Sequence, residues 1–304
     1  MGHGMSRPSA IARSSARNGA AGVAALAKRA RALQGRPPAR PAPWDADALD
    51  DLAFHRPWNL AVKAARIRAR RNIDNLQHGE TIIIVNWNTK DVLRDTIATV
   101  RDLTPGHVPI TVVDNGSTDG SRQWLETQNV DLLALPMNVG HSIALDLAFL
   151  GCETDIAITL DSDCVPISTD WFASLVEPVR SGDAVLAGAR SKRNFVHPMA
   201  MAVDMHRFIT DGLTFQVFKM PGLDREDEVW GETAFDTAEW MSRMVHSDEL
   251  HFLETTPNPV EGLPGMTSGG VVYHHGGVTR AAGGGMDPNS YAQWRHALDQ
   301  LLPE

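Results

Sequence analysis

The sequence predicts an α/β domain built on a mostly parallel sheet, preceded by a helical extension. Apolar, β-branched runs alternate with amphipathic helical stretches, and polar loops follow the runs. This alternation is typical of strand–helix–strand units, in which neighbouring strands run parallel. The predicted strands are residues 81–85, 108–113, 155–160 and 183–189. The predicted helices are residues 91–103, 121–128, 142–150 and 291–302, and residues 200–208 form either a strand or a helix.

Composition divides the 304 residues into three parts. Residues 1–43 carry eight basic side chains and no acidic one, in an Ala-, Arg-, Ser- and Pro-rich segment expected to stay disordered. Residues 44–78 predict a helical extension with one short helix and a second helix that Pro57 opens. The α/β domain then fills residues 79–304, with halves at 79–165 and 166–304.

The overall composition, 43% hydrophobic and 21% charged, is ordinary for a globular protein. Cys152 and Cys164 do not form a CxxC pair, so we expect neither a disulfide framework nor a zinc site, and a reducing, cytoplasmic location. There is no apolar run of 18 residues, so we expect no transmembrane helix. The basic charge of residues 1–43 leaves open a peripheral contact with an anionic membrane or with nucleic acid.

Polar side chains follow three of the predicted strands. Asp161 and Asp163 flank Ser162 directly after a buried run. Carboxylates at this spacing suit a hard cation such as Mg²⁺ or Mn²⁺, although Asp-rich turns also occur simply to satisfy backbone donors. Ligands of parallel sheets bind outside the carboxyl ends of the strands, so the three loops should meet at one crevice. These loops are residues 86–89, 114–119 and 161–163.

Four motifs, in this order, carry a family resemblance. The runs IIIVNWNT, VVDNGSTDGS, NVGHSIALDLA and LDSD resemble the nucleotide-binding half of the GT-A (Rossmann-like) glycosyltransferases, with most similarity to the family 2 group that includes rhamnosyltransferase-like enzymes. The resemblance covers residues 80–165 and continues more loosely to residue 280. It implies an inverting hexosyl- or deoxyhexosyltransferase. The donor would be a nucleoside-diphosphate sugar of the UDP, dTDP or GDP type, the acceptor a hydroxyl group, and the cofactor Mn²⁺ or Mg²⁺.

The resemblance also implies a nucleotide-sugar site. Asp114 would accept a hydrogen bond from the imide of uracil or thymine, and Asp161 would hold the ribose and a metal-bound water. Gly140 would permit close approach of the backbone, and Arg280, on a Gly-rich segment, is predicted to clamp the diphosphate. Trp87 has an alternative interpretation, which is packing under the sheet. The other predicted contacts to the nucleotide sugar are Asn86, Trp87, Asn88, Asn115 and Asn138.

For the metal, the resemblance implies direct coordination by Asp163, next to Asp161, with a histidine as third ligand. His274 and His275 would point to opposite faces of one strand, so only one of them can reach the cation. We expect that one to be His275, which is closer to the glycine loop.

The resemblance also implies a catalytic carboxylate at the start of a helix in the second half, and Asp236, which stands at such a position, is the predicted general base. It would remove the proton of the acceptor hydroxyl, for which it must lie within hydrogen-bond reach. Capping of the same helix is the competing interpretation. Glu239 is the alternate base and Glu232 a third choice.

Several loop residues have smaller predicted roles. Thr89 is expected to cap the helix that follows it, and Ser117 or Asp119 the next helix. His141 and Asp146 stand where relatives often carry an aromatic residue and an asparagine. These departures bear on recognition of the acceptor or the sugar.

Two other classes of protein remain as alternatives. A nucleotidyltransferase would share the sheet and the metal, but it needs a Gly-rich, Lys/Arg-bearing loop after the first strand, and the run NWNTKD lacks one. A non-catalytic nucleotide-sugar-binding protein of the same fold is the second alternative. The intact Asp-Ser-Asp motif argues against it.

Overall fold

The computed structural model of the protein describes residues 52–217, 236–277 and 288–302. The predictions for residues 1–43, Glu232 and Arg280 therefore lie outside the described residues. The strands are β1 (Gln77–Asn86), β2 (Ile110–Asp114), β3 (Asp131–Ala134), β4 (Thr154–Asp161), β5 (Cys164–Pro166), β6 (Leu186–Arg190), β7 (Val196–Asp204), β8 (Leu250–Leu253), β9 (Thr255–Pro257), β10 (Met266–Ser268) and β11 (Val272–His274).

Helices flank these strands, and short 3-10 turns cover Ile73–Asn75 and Ser247–Glu249. The helices are α1 (Leu52–Arg71), α2 (Lys90–Leu103), α3 (Ser121–Leu125), α4 (His141–Phe149), α5 (Trp171–Arg180), α6 (Met205–Thr210), α7 (Glu239–Met244) and α8 (Pro288–Leu301). Within the described ranges, no helix is both long enough and apolar enough to cross a membrane.

A seven-stranded sheet with the order β3-β2-β1-β4-β7-β6-β8 forms the centre of the domain. β1 is parallel to both of its neighbours, and Asn86 pairs with Asp114 while Val85 pairs with Asp161. The chain leaves β1 in one direction through β2 and β3 and returns on its other side as β4, which makes the gap between β1 and β4 a topological switch point. The α/β class and the mostly parallel sheet are confirmed.

Strand β7 is antiparallel to β4 and β6. Leu160 of β4 pairs with Ala200 of β7, so the first residues of β7 extend past the end of β4. Residues 200–208, predicted as strand or helix, are both: the strand ends at Asp204, and α6 begins at Met205. The start of β7 therefore lies at the same edge of the sheet as Asp161.

A second sheet of four antiparallel strands, in the order β5-β11-β10-β9, packs beside that edge. In its register His274 of β11 lies opposite Cys164 of β5, and Tyr273 lies opposite Val165. This pairing brings the end of β11 next to the Asp-Ser-Asp turn, because β5 begins directly after Asp163.

The hydrophobic core has one layer on each face of the large sheet. Alternate residues of β1 supply the two layers: Ile82 and Ile84 pack with the cluster that includes Trp171, and Ile83 and Val85 with the cluster that includes Phe149. This is the alternation expected of a strand that is covered on both faces. The core fixes the strand ends, and through them the polar loops.

The N-terminal extension is anchored by α1. Pro57 lies inside this helix rather than opening a second one, at the cost of one backbone hydrogen bond. Trp58 is buried, and Arg66 donates to the carbonyl oxygens of Phe208 (3.1 Å) and Leu213 (2.5 Å). The helix is thus fastened to α6 and to the segment that follows it.

The same segment is held from the other side by Asp146 of α4. This carboxylate is fully buried, and it accepts hydrogen bonds from Thr214 Oγ1 (2.5 Å) and from the backbone N–H of Phe215 (2.9 Å). Burial raises the pKa of Asp146 to about 6, although these hydrogen bonds and the charge of Arg66 oppose the shift. Asp146 therefore anchors the segment that follows α6, and a role in recognition of the acceptor or the sugar stays a prediction.

Asp146 should make the stability of the fold depend on pH. A pKa raised from 3.8 to about 6 means that the folded state binds more protons between these values. The contribution of Asp146 is therefore fully present below pH 4 and is lost as the pH rises through 6, by about 3 kcal/mol in total. We expect Asp146→Asn to remove this part of the dependence of the free energy of unfolding on pH. Urea unfolding of both proteins at several pH values between 4 and 7 tests it, and parallel curves would contradict it.

Candidate nucleotide and metal site

Asp114 ends β2 at the edge of the switch point. Its side chain is almost completely buried, and Oδ1 lies 3.5 Å from the side-chain amide of Asn86. Oδ2 has no hydrogen-bond partner in the part of the chain that the structure describes. Burial raises the pKa of Asp114, and hydrogen bonds from Ser117 and Asn86 reduce that rise. An unpaired buried carboxylate oxygen is costly, so a ligand that donates to it would bind favourably.

Asn86, predicted to contact the nucleotide, is fully buried, and its side chain hydrogen-bonds to neighbouring loop residues. Its Oδ1 accepts from Thr89 Oγ1 at 2.6 Å, and its Nδ2 donates to Ser117 Oγ at 3.1 Å. The Thr89 hydroxyl also lies 3.0 Å from Ser162 Oγ. Asn86 therefore positions its neighbours, and Thr89 links the loop after β1 to the turn after β4.

The predicted helix caps are distributed differently. Thr89 occupies the cap position of α2, but its side chain makes no capping hydrogen bond. Asp119 caps α2 instead, because its Oδ2 accepts from the backbone N–H of Lys90 at 2.9 Å. Its Oδ1 accepts from the N–H of Ser121, the first residue of α3, also at 2.9 Å. The carboxylate of Asp119 thus caps both α2 and α3, whereas the sequence predicted a cap from Asp119 for α3 only.

Three other residues predicted to contact the nucleotide organise the loops. Asn88 Oδ1 accepts from the N–H of Thr118 (2.7 Å), and Asn115 Oδ1 accepts from the N–H of Val139 (3.0 Å). Asn138 Oδ1 accepts from the Asn115 amide at 3.0 Å and from the Gly140 N–H at 2.9 Å. These contacts fix the loops around Asp114, and they use mainly the side-chain oxygens of the three asparagines.

Trp87 and two glycines define the shape of these loops. Trp87 is buried, in agreement with packing under the sheet. Gly140 has φ +87° and open space where a side chain would begin. Close approach between backbones occurs at Gly116, where a Cβ would lie 2.4 Å from Met137.

Asp161, Asp163 and His274 form an acidic cluster at the end of β4. His274 Nε2 lies 3.6 Å from Asp161 Oδ2 and 3.3 Å from Asp163 Oδ1, and one ligand atom of each residue falls within 4.8 Å of the others. Asp163 Oδ2 also accepts from the N–H of Gly276 at 3.0 Å. Burial by itself raises the pKa of Asp163, but the neighbouring imidazole of His274 lowers it overall. Two carboxylates and one imidazole can hold a divalent cation.

The structure brings His274 to the carboxylates, whereas the sequence prediction preferred His275. Side chains alternate along β11, so His275 shares a face with Tyr273, and its Nδ1 lies 2.8 Å from the Tyr273 hydroxyl. The ring of His275 also packs edge-on against Trp294. His275 therefore packs with Tyr273 and Trp294 on the face of the strand opposite to His274.

Two further histidines lie around the cluster. His141, the first residue of α4, places Nε2 at 3.5 Å from Asp161 Oδ1. His197 at the start of β7 places Nε2 at 3.8 Å from Asp236 Oδ2. Sequence reasoning noted His141 only as a departure and missed His197, because it began the strand at Ala200. A polar residue next to Pro198 in an apolar run was the available signal.

The two candidate bases have different surroundings. Glu239 is fully buried, with Arg193 at 2.9 Å and Arg243 at 2.7 Å, and it accepts from the backbone N–H of Asp236 at 3.1 Å. Its charge is therefore committed to structural contacts. The side chain of Asp236 is 44% exposed, and α7 begins three residues later at Glu239. The side chain of Asp236 makes no capping bond to α7 itself, and its Oδ1 accepts the backbone N–H of Thr237 just before the helix.

A mostly parallel sheet whose switch point is lined by carboxylates and a histidine is typical of the α/β proteins that bind ligands at the strand ends. Residues 81–246 match Glycosyl transferase family 2, and the chain belongs to this family. The match confirms the predicted family. The rhamnosyltransferase-like group stays a prediction.

One curated relative is an undecaprenyl-phosphate 4-deoxy-4-formamido-L-arabinose transferase of Pseudomonas fluorescens (strain SBW25). It is 32% identical over 126 residues, which are 38% of this chain and 36% of the relative. The chain therefore spans about a third of the length of this relative.

Solved structures of glycosyltransferases are also similar. The mannosyltransferase PcManGT from Pyrobaculum calidifontis, in complex with GDP-Man and Mn²⁺, matches with a TM-score of 0.39 and 18% identity over 54% of this chain and 59% of that chain. S. aureus TarS 1-349, in complex with UDP-GlcNAc, matches with a TM-score of 0.38 and 13% identity over 45% and 48%. Glucosyl-3-phosphoglycerate synthase from Mycobacterium tuberculosis, in complex with Mn²⁺, UDP and phosphoglyceric acid, matches with a TM-score of 0.37 and 17% identity. This match covers 48% of this chain and 59% of that chain.

Proposed function

We propose that the protein is a metal-dependent, inverting glycosyltransferase that moves a hexosyl or deoxyhexosyl group from a nucleoside-diphosphate sugar to a hydroxyl acceptor. The observation that carries the proposal is the cluster of Asp161, Asp163 and His274 beside the switch point. Family membership supports glycosyl transfer in general, and the cluster supports the dependence on a metal.

The proposed metal ligands are Asp161, Asp163 and His274. Carboxylates alone suit Mg²⁺, while an added imidazole favours a transition metal such as Mn²⁺. We therefore expect Mn²⁺ to be preferred over Mg²⁺. A bound cation would supply Lewis-acid stabilisation of the departing diphosphate, so no protein acid is needed there.

The proposed nucleobase contact is Asp114. Its Oδ2 is a buried acceptor without a partner among the described residues. The imide N–H of uracil or thymine is a donor of matching chemistry, which favours UDP or dTDP over GDP as the nucleotide. The test should include UDP, dTDP and GDP, so that this preference can be measured directly.

Replacing Asp114 with alanine should weaken binding of a uridine or thymidine diphosphate by about ten- to a hundredfold, the effect of losing a hydrogen bond to a charged group. Calorimetric titration with UDP and Mn²⁺ measures it. Asp131→Ala, which removes an exposed carboxylate on the neighbouring strand, is the control. Unchanged affinity in Asp114→Ala would contradict the assignment.

The proposed general base is Asp236, on the acceptor side. Its carboxylate is exposed and close to His197, which stands on the same edge of the sheet as Asp161. In an inverting reaction the base removes the proton of the acceptor hydroxyl while that oxygen attacks the anomeric carbon. Glu239 is less suitable, because its two arginine partners already neutralise it.

We place the reaction in the cytoplasm, where nucleotide sugars are available, with residues 1–43 as a basic segment able to contact an anionic membrane. The curated relative is named for undecaprenyl phosphate. A polyprenyl phosphate therefore belongs in an acceptor screen beside sugar hydroxyls.

A donor screen tests the proposed function. Melting temperatures with UDP-, dTDP- and GDP-sugars, each with Mn²⁺, Mg²⁺ or a chelator, should rise for at least one nucleotide sugar and only with metal. Release of the nucleoside diphosphate on addition of acceptor then measures turnover. If no nucleotide sugar stabilises the protein in any metal, the proposal fails.

A further inference from the structure

His197 lies at the start of β7 with both ring nitrogens in defined surroundings. Nδ1 accepts the backbone N–H of Met199 at 3.1 Å. A neutral imidazole that accepts at Nδ1 carries its proton on Nε2. Nε2 faces Asp236, with Oδ2 of that carboxylate 3.8 Å away. The strand therefore presents an N–H donor to the proposed base.

The two oxygens of Asp236 have different partners. Oδ1 accepts the backbone N–H of Thr237 at 2.7 Å. Oδ2 is the oxygen that faces His197. The ring of His197 is itself supported by Phe195, whose centroid lies 5.7 Å away at an interplanar angle of 31°. One carboxylate oxygen is held by the chain next to it, and the other faces a residue of the central sheet at a distance longer than a hydrogen bond.

We infer that His197 is a positioning residue that orients Oδ2 of Asp236 toward the acceptor hydroxyl. This inference rests on the proposed function, in which Asp236 is the base. As the acceptor oxygen bonds to the anomeric carbon, its proton passes to Asp236. The bond between that carbon and the diphosphate oxygen breaks, and its electron pair leaves with the nucleoside diphosphate. His197 keeps its Nε2–H directed at Oδ2 of Asp236 throughout and is chemically unchanged.

The surroundings of His197 keep it in the required form. Burial lowers the pKa of His197, although the charges of Asp236 and Asp161 oppose the shift. The neutral ring is the form in which Nδ1 accepts and Nε2 donates. A donor on a rigid strand is also better placed than one on a loop to fix a base within hydrogen-bond reach of its target.

Two substitutions separate the positioning role from a structural one. In His197→Asn, the amide oxygen can replace Nδ1 as acceptor for Met199, but no donor reaches Asp236. In His197→Gln, an amide N–H can replace Nε2–H near Asp236, while the acceptor for Met199 is lost. We expect His197→Asn to lower kcat about ten- to a hundredfold, the scale of a misplaced reacting group, with the KM for the donor sugar unchanged. His197→Gln should restore most of the turnover.

A double-mutant cycle with Asp236→Asn completes the test. Once Asp236 has lost its basic oxygen, His197→Asn should cause no further loss of kcat. If Asp236→Asn alone keeps normal turnover, the assigned base and the proposed mechanism fail. If Asp236→Asn is inactive but His197→Asn keeps normal kcat, only the positioning role is overturned. Equal losses in both His197 variants, with lower melting temperatures, would also overturn it in favour of a structural role.

Discussion

Replacing Asp163 with asparagine should remove divalent-dependent glycosyl transfer, with kcat reduced by at least about 10²–10³-fold, the usual effect of losing one preorganised charge. Asp163 is buried next to His274 and Asp161, so a neutral amide leaves a weak ligand at the centre of the cluster. The amide oxygen can still accept the N–H of Gly276, so the fold should be retained. Turnover and calorimetric Mn²⁺ binding measure the two effects separately.

Asp170→Asn is the matched control for this experiment. Asp170 is an exposed carboxylate a few residues along the same segment, and substitutions at such positions rarely change stability or binding appreciably. Normal turnover of Asp163→Asn in the presence of a chelator would refute the role of the metal. Loss of turnover without loss of Mn²⁺ affinity would show that Asp163 does not bind the metal and acts in another step of the reaction.

Replacing Asp236 with asparagine should lower kcat by about 10²–10⁴-fold, the range measured for general acid–base catalysis. The amide is nearly isosteric and can keep the contact to the Thr237 N–H, so affinity for the nucleotide sugar should change little. Steady-state kinetics with varied donor and saturating acceptor separate the two quantities. We expect the loss in kcat with an unchanged KM for the donor.

The control for Asp236 is Asp248→Asn, because that side chain is 76% exposed on a surface turn. If Asp236→Asn keeps the kcat of the unchanged protein, Asp236 is not the general base and another residue must take that role. A raised KM for the donor with normal kcat would instead mean that Asp236 contributes to binding.

The sequence predicted most of the parallel half of the fold, although not β3, because its signals are local. Runs such as residues 81–85 are long, apolar and β-branched, and their strand ends fall within a few residues of the prediction. Asp114, Asp161 and Asp163 follow those runs directly, so their common edge could be deduced from the rule for parallel sheets.

The choice between His274 and His275 could not be made in this way. It depends on which face of β11 looks toward β4, and that is set by pairing with β5, a strand of only three residues. Glu239 presents the same difficulty. Its unsuitability as a base follows from Arg193, a partner 46 positions away in the sequence, which no local pattern indicates.

Asn86 illustrates a third limit. An asparagine at a strand end suggests a ligand contact, but here the side chain is fully buried and its amide is used by Thr89 and Ser117. Burial of a polar group is acceptable when its hydrogen bonds are satisfied, and the sequence does not reveal the partners.

The reversed direction of β7 separates the proposed acceptor side of the site from the nucleotide side. The strand begins where its parallel neighbour β4 finishes, so its first residues reach the catalytic rim without belonging to the four nucleotide motifs. On the proposed function, substitutions at residues 195–199 should therefore change the KM for the acceptor and leave the affinity for the nucleotide sugar unchanged. Preference for a different acceptor should then need changes at this corner of the sheet only.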